Sequence, residues 1–285
     1  MAKVSVLMAS HNGARFICQS LDSILNQTFS DFELIVINDA STDDTAKILE
    51  EYANKDLRVR VYSNEENKGL TCSLNEALKK VSADSLYICR MDDDDICEPN
   101  RLEKQIDFLD SHGEIGVVGS NAVIIDDTNN IVGQRCVPAK HEQIRKVLPR
   151  YNPIIHPAVM IKREVLENVG GYNEKFRTSQ DYELWFRLAA GGVKFANLQE
   201  NLLKYRETRS AVKRKSMKYR LKDFRIRKIG YKMLKLPFYC YFWLAVPLIL
   251  GIIPMSIYKL LKRVDPRLRL GGTVSSQRER TKCLL

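Results

Sequence analysis

SLYICRMDDDDICEP, residues 85–99, is the stretch on which the fold turns. An apolar run of strand character, Leu86 to Cys89, leads through Arg90 and Met91 into four consecutive carboxylates, Asp92 to Asp95. Two like charges about 4 Å apart repel by roughly 1 kcal/mol in water and about 4 kcal/mol at an effective dielectric of 20. Such a cost at the end of a buried strand marks a rim where something positive binds, because open α/β sheets place ligands beyond the carboxyl ends of their strands. The competing reading is a solvated turn that caps a helix starting near Pro99. The apolar strand before the run and a second acidic turn upstream weigh against it.

Working outward, the same strand-then-polar-turn pattern recurs. VSVLMA (4–9) runs into Ser10-His11-Asn12-Gly13, and FELIVIND (32–39) runs into Ala40-Ser41-Thr42-Asp43-Asp44. Between them, ARFICQSLDSIL (14–25) sets Phe16, Ile17, Leu21, Ile24 and Leu25 at helical spacing. A helix capped near Thr42 runs through Leu49 and Tyr52. LRVRVYS (57–63) alternates with period two, and Gly69 to Val81 is helical with Leu70, Leu74, Ala77, Leu78 and Val81 on one face. This βαβαβαβ rhythm predicts an α/β fold with a mostly parallel sheet flanked by helices. It brings three polar clusters to one rim. Paired carboxylates there suit Mg²⁺ or Mn²⁺, which turns their repulsion into attraction and bridges to phosphate oxygens. From about 115 to 206 the pattern is mixed, with strand-like IGVVGSNAVII, IVGQRCV and PAVMI before helical QDYELWFRLAAGG.

Charge divides the chain of 285 residues, whose net charge is +10. Residues 201–285 carry 22 Lys and Arg against 4 Asp and Glu, a net +18, while residues 1–200 carry −8. The basic end points to an anionic partner, membrane headgroups or nucleic acid. Residues 211–235 read as a basic helical connector. Residues 236–258 are 23 residues without a formal charge, interrupted by Pro237, Pro247 and Pro254. A kinked span, a re-entrant hairpin and an interfacial anchor are all compatible with this segment; its length disfavours a buried core helix. Residues 259–285 form a basic tail, disordered from about Gly271. The 7 cysteines are odd in number and show no metal-binding spacing, which suits reduced thiols in a cytosolic setting. The N-terminus enters a strand directly, without the apolar core of a signal peptide.

In order, VSVLMASHNGARFI, ELIVINDASTDDT, NEENKGLTCSLNEAL, YICRMDDDDICEPNRLEKQ, NPIIHPAVMIKREV, SQDYELWFRL and LLKYRETRS resemble the motif series of the family 2 glycosyltransferases, which have the GT-A nucleotide-sugar-binding fold. The resemblance spans residues 3–210 and implies a catalytic domain over 1–210. It implies that Ser10 and Asn12 line the nucleotide pocket, that Asp39 hydrogen-bonds the base, typically uracil, and that Lys68 and Gly69 belong to a segment closing over the nucleotide. RMDDDD matches the family's R-M-D-x-D-D. Arg90 then belongs to the donor site, and Asp92 and Asp94 are the DxD pair, with Asp92 at the ribose and metal and Asp94 on the metal. Asp93 takes the variable position and points to the other side of an extended chain. Asp95 supports the site or caps the next helix. His156 lies near the donor or acceptor sugar. Asp181, after Gln180 where many members have Glu, is the catalytic base.

Two departures qualify the match. Tyr205-Arg206-Glu207-Thr208 stands for the family's Y-R-x-H, so Thr208 replaces a His, and Arg206 or Arg209 is left to supply positive charge. The QxxRW motif of processive synthases is absent, which favours addition of a single sugar. The resemblance therefore implies an inverting, metal-dependent transfer from a UDP-sugar to a glycan or polyprenyl-diphosphate-linked acceptor, at the cytoplasmic face of the cell membrane and without nucleic acid. Two rivals fit less well. A sugar nucleotidyltransferase needs a Gly-rich basic loop after the first strand, and SHNGARFI has one Gly. A nucleic-acid-binding protein would use the basic end, which carries no recognition motif.

Overall fold

The structure, a computed structural model, describes residues 2–207, 217–244 and 268–270. Four strands, β1 (Val4–Ser10), β2 (Phe32–Asn38), β3 (Val59–Ser63) and β4 (Tyr87–Arg90), run parallel in the order β3-β2-β1-β4. Helices α1 (Ile17–Leu25), α2 (Thr45–Lys55) and α3 (Leu70–Leu78) connect them, so every strand ends on the same rim. β2 is buried along its whole length and β1 everywhere but Ala9. Both faces are covered, which is why these strands read as continuous apolar runs without alternation. Val4, Val6 and Met8 pack with α1 on one face; Leu7, Ile35 and Ile37 pack with α3 on the other.

The second half corrects the expectation of a mostly parallel sheet. β5 (Ile96–Cys97) follows the acid run and leads into α4 (Arg101–Ser111). β6 (Ile115–Ile125) and β7 (Ile131–Arg135) form an antiparallel pair. After the short α5 (His141–Val147), β8 (Met160–Lys162) inserts between β4 and β6, antiparallel to both. α6 (Arg163–Asn168) and α7 (Gln180–Ala190) precede β9 (Lys194–Arg206), which runs parallel to β6 and pairs antiparallel with β5. β10 (Leu268–Leu270) adds antiparallel to β7. The sheet is mixed because parallel neighbours need a long crossover, and the short link between β6 and β7 does not supply one.

Beyond the sheet, α8 (Met217–Met233) packs on α7. Ile226 and Tyr231 are buried in the same apolar cluster as Phe186. A Cβ on Gly230 would lie 2.3 Å from Cγ of Phe186. Gly230→Ala should therefore force the two helices apart at a cost of about 1–3 kcal/mol. Thermal unfolding reads this as a Tm lower by roughly 2–4 °C per kcal/mol; an unchanged Tm would show that the contact is not tight.

The turn Phe238–Leu244 follows α8. Leu244 is buried, and Tyr241 stacks edge-on against Tyr231, while Phe238, Tyr239 and Phe242 are 88%, 68% and 71% exposed. Among the described residues no helix is long and apolar enough to cross a membrane. Most of the apolar segment 236–258, from residue 245 onward, lies outside the described residues, as does all of the tail 259–285 except β10.

Candidate active site

β4 delivers the acid run to the rim, but the chain does not stay extended there. Asp93 and Asp94 form a turn, so the period-two argument that set Asp93 against its neighbours does not apply. Asp92, Asp94 and Asp95 each offer a carboxylate oxygen within 4.8 Å of the others. Asp93 instead accepts a hydrogen bond from the Ser10 hydroxyl at the end of β1. Asp95 is fully buried and caps no helix. Its Oδ1 accepts the Arg206 backbone N–H at 2.8 Å, and its Oδ2 has no partner.

Electrostatics mark the cluster as incomplete. Burial first, then repulsion from Asp92, pushes the Asp93 carboxyl up to about 6. Burial and then neighbouring carboxylates also raise Asp94 and Asp95. Three converging carboxylates, one with an orphaned buried oxygen, form a hard, oxygen-only donor set that fits Mg²⁺ or Mn²⁺. Asp95 is the member of this set that the sequence reading placed outside it.

Two cations brace the cluster. Arg90, 2% exposed, pairs with Asp92, yet its Nε and Nη1 have no partner. Arg206 is spent on structure: Nε donates to the Asp94 carbonyl (2.7 Å), Nη1 to the Asp126 carbonyl (2.7 Å) and Nη2 to Gln19 (3.0 Å), with its face on the Phe16 ring. These bonds hold its positive charge beside Asp94 and Asp95 and use three of the five guanidinium N–H donors. Thr208 and Arg209 lie outside the described residues.

At the β1–β2 rim, the two polar turns knit together. Asn12 accepts the Thr42 N–H (2.8 Å), and Asp43 accepts the N–H groups of Ala14 and Thr45. Near the cap expected around Thr42, the N-cap residue of α2 is Asp44, without a side-chain cap bond, and Asp43 before it accepts the N–H of Thr45, the first helical residue. A Cβ at Gly13 would fall 2.3 Å from Asp93 Oδ2 and 2.5 Å from Ser10 Oγ, so a side chain there would displace this hydrogen-bonded pair. Asn12 and Ala40, with φ of 57° and 56°, hold left-handed backbone beside the site, as does Ser179 (φ 55°) before α7. Strain of this kind gathers where geometry serves a ligand.

Asp39 has a further task. Its carboxylate accepts Asn64 Nδ2 (2.7 Å) and the backbone N–H groups of Lys68 (3.0 Å) and Gly69 (2.8 Å). It pins the segment carrying Lys68 and Gly69 against the rim, and these bonds take most of the roughly four acceptor sites of a carboxylate.

A cavity of about 350 Å³ joins the acid cluster to α7. Arg90, Asp92, His156, Asp181, Asn152 and Arg135 line it. Asp181 sits in the first turn of α7, and its Oδ2 accepts Asn152 Nδ2 at 2.6 Å. Burial raises its carboxyl above the usual range, against the lowering effect of the Tyr182 N–H, Asn152, Arg135 and Arg90. His156 is buried with Nε2 2.8 Å from the Tyr172 hydroxyl. Burial, then Arg90, depresses its pKa well below the ordinary value, so the ring is neutral at pH 7. Of the residues singled out in sequence, Arg90, Asp92, His156 and Asp181 share this cavity, while Ser10, Asn12, Asp39, Lys68 and Gly69 frame the adjoining rim. Asn152 and Arg135 were missed. Asn152 stood inside a quoted motif; Arg135 lies on a strand with no signal of its own.

The chain is similar to known proteins. A family model described as glycosyl transferase family 2 matches residues 5–170. EpsE of Bacillus subtilis (strain 168), named as a glycosyltransferase, is 36% identical over 258 residues, covering 90% of this chain and 91% of EpsE. The O-antigen biosynthesis glycosyltransferase WbnJ of Escherichia coli is 36% identical over 219 residues, 76% of this chain and 84% of WbnJ. Among solved structures, S. aureus TarS 1–349 in complex with UDP superposes with a TM-score of 0.67 at 20% identity, over 93% of this chain and 79% of that one. At that identity the likeness is one of fold, an α/β GT-A arrangement.

Proposed function

We propose, from the premise that this chain belongs to glycosyl transferase family 2, that it transfers a single sugar from a UDP-sugar to an acceptor hydroxyl with inversion, in polysaccharide biosynthesis. One observation carries the reading: Asp92 of the acid cluster and Asp181 of α7 line the same cavity. Ser10, Asn12 and Asp39 frame the nucleotide end, with Lys68 and Gly69 held over it. Asp92 and Asp94, with Asp95 behind them, would hold Mg²⁺ or Mn²⁺, which supplies positive charge to a departing diphosphate. The unpartnered nitrogens of Arg90 are donors for anionic oxygens at the same point. Asp181 takes the proton of the acceptor hydroxyl, whose oxygen attacks the anomeric carbon opposite the leaving diphosphate. No covalent enzyme intermediate is needed.

The acceptor we favour is a polyprenyl-diphosphate-linked glycan at the cytoplasmic face of the cell membrane. Support comes from the basic helix α8 leading into the exposed Phe238, Tyr239 and Phe242, a pairing that suits an anionic lipid surface. A screen of nucleotide-sugars for Mn²⁺-dependent binding, then for transfer to lipid-linked acceptors, tests the activity. Binding of no UDP-sugar in the presence of metal would overturn the donor assignment. Washed membranes test the location: release by salt alone rejects a spanning segment, and absence from membranes rejects the lipid-surface reading.

A further inference from the structure

Asp181 is held by a side chain to which the family resemblance assigned no role. Asn152 precedes Pro153 in the loop after α5, and its amide is oriented at both ends. Oδ1 accepts the Ile154 N–H at 3.2 Å, which turns Nδ2 toward Asp181 Oδ2 at 2.6 Å. The amide N–H is a donor only, so this contact favours the ionised carboxylate and weakens when Asp181 is protonated. Because Oδ2 is engaged by Asn152, Asp181 cannot turn freely about its terminal torsion, a broad one in an unrestrained Asp.

We infer that Asn152 is the positioning residue of the catalytic base, holding the Asp181 carboxylate in one orientation and in its charged form beside the acceptor hydroxyl. The inference rests on the reading of Asp181 as that base. In the step it serves, the acceptor O–H bond breaks as its proton passes to Asp181. The acceptor oxygen bonds to the anomeric carbon, and the bond from that carbon to the diphosphate oxygen breaks with its electron pair on the diphosphate.

Other charges face Asp181 from every side of the cavity. Arg135 on β7 and Arg90 on β4 favour its ionised form. Arg177 stands just before α7, and α8 contributes Asp223 and Arg227, which pair with each other at 2.8 Å. Asp92, across the cavity, is paired with Arg90. Among these groups Asn152 is the one whose side chain hydrogen-bonds Asp181, so its removal is distinguishable from a general change in field.

The test uses the full chain and three variants, Asn152→Ala, Asn152→Asp and Asp181→Asn. The titration of Asp181 is followed by carboxyl-carbon NMR, with the resonance assigned from Asp181→Asn. It is compared with the pH dependence of hydrolysis of UDP-glucose, UDP-galactose and UDP-GlcNAc in Mn²⁺. Asn152→Ala should raise the Asp181 titration by about one pH unit, a tenfold change in proton affinity. Asn152→Asp, which sets a second carboxylate beside the first, should raise it further. Hydrolysis should slow by about tenfold in Asn152→Ala at pH 7, with its acid limb moved up in step and UDP affinity held within about threefold, the pattern of an interaction used in the transition state. A role confined to loop stability predicts equal losses in both Asn152 variants with the titration unmoved, and that result overturns the inference. The NMR titration does not depend on turnover. If Asp181→Asn remains active while the Asn152 variants still shift the titration, the base reading fails and the contact stands as structure only.

Discussion

Asp181→Asn should bind UDP and UDP-sugar with near wild-type affinity and turn over roughly 10²–10⁴ times more slowly, the usual contribution of a positioned general base. The amide nearly matches the carboxylate in size and can still meet Asn152, but it cannot accept a proton. Activity in the wild type should show an acid limb set by Asp181. The sign follows from its role: the base works deprotonated, so kcat/KM falls as pH drops through its folded pKa. Burial places that pKa above the ordinary carboxylate range, and the limb should sit correspondingly high. Asp181→Asn should abolish the limb together with the activity. Turnover near wild type would reject Asp181 as the base, whatever became of binding.

For the acid cluster the largest effect should come from Asp94→Ala. A change in the outer shell of a metal site typically costs about 10–100-fold in metal affinity, and loss of a direct ligand should exceed that. The variant should bind UDP weakly, and added Mn²⁺ should no longer tighten the complex. Relief of repulsion works in the opposite sense on stability. Burial and the neighbouring carboxylates raise the Asp94 carboxyl, and removing that crowded group should leave the metal-free protein as stable as wild type or more so. Calorimetric titration of UDP with and without Mn²⁺, beside a melting curve of the metal-free protein, measures both. Unchanged metal dependence would reject Asp94 as a ligand.

The two polar turns and the acid run were legible because the strands that precede them are buried on both faces. Such strands must be apolar throughout, so their polar ends stand out. β5 escaped notice, since two residues carry no periodic signal, and β8, legible as the strand-like PAVMI, gave no sign of its place between β4 and β6. Their placement makes the sheet mixed and ties β9 to the acid loop. Arg206 was read as a source of positive charge, because composition reports charge and not partners; the fold sets that charge beside Asp94 and Asp95 and adds the partners, the Asp94 and Asp126 carbonyls and Gln19. Asp39 was read as facing a base, and the fold engages it with the loop that carries Lys68 and Gly69.

By itself the sequence determined which groups were available, carboxylates after β4 and an Asp at the start of α7, and the order of strands and helices that sends them to one rim. It also carried the family, through motifs whose spacing survives without any contact map. Only the tertiary structure decided which carboxylates meet. Asp95 joins Asp92 and Asp94 because residues 93 and 94 turn, and Asp181 reaches the cavity because α7 docks over the loop carrying Asn152 and His156. Local propensity sets the direction of a strand or helix. Convergence of residues 92, 152 and 181 depends on long-range packing, which propensity and spacing do not encode.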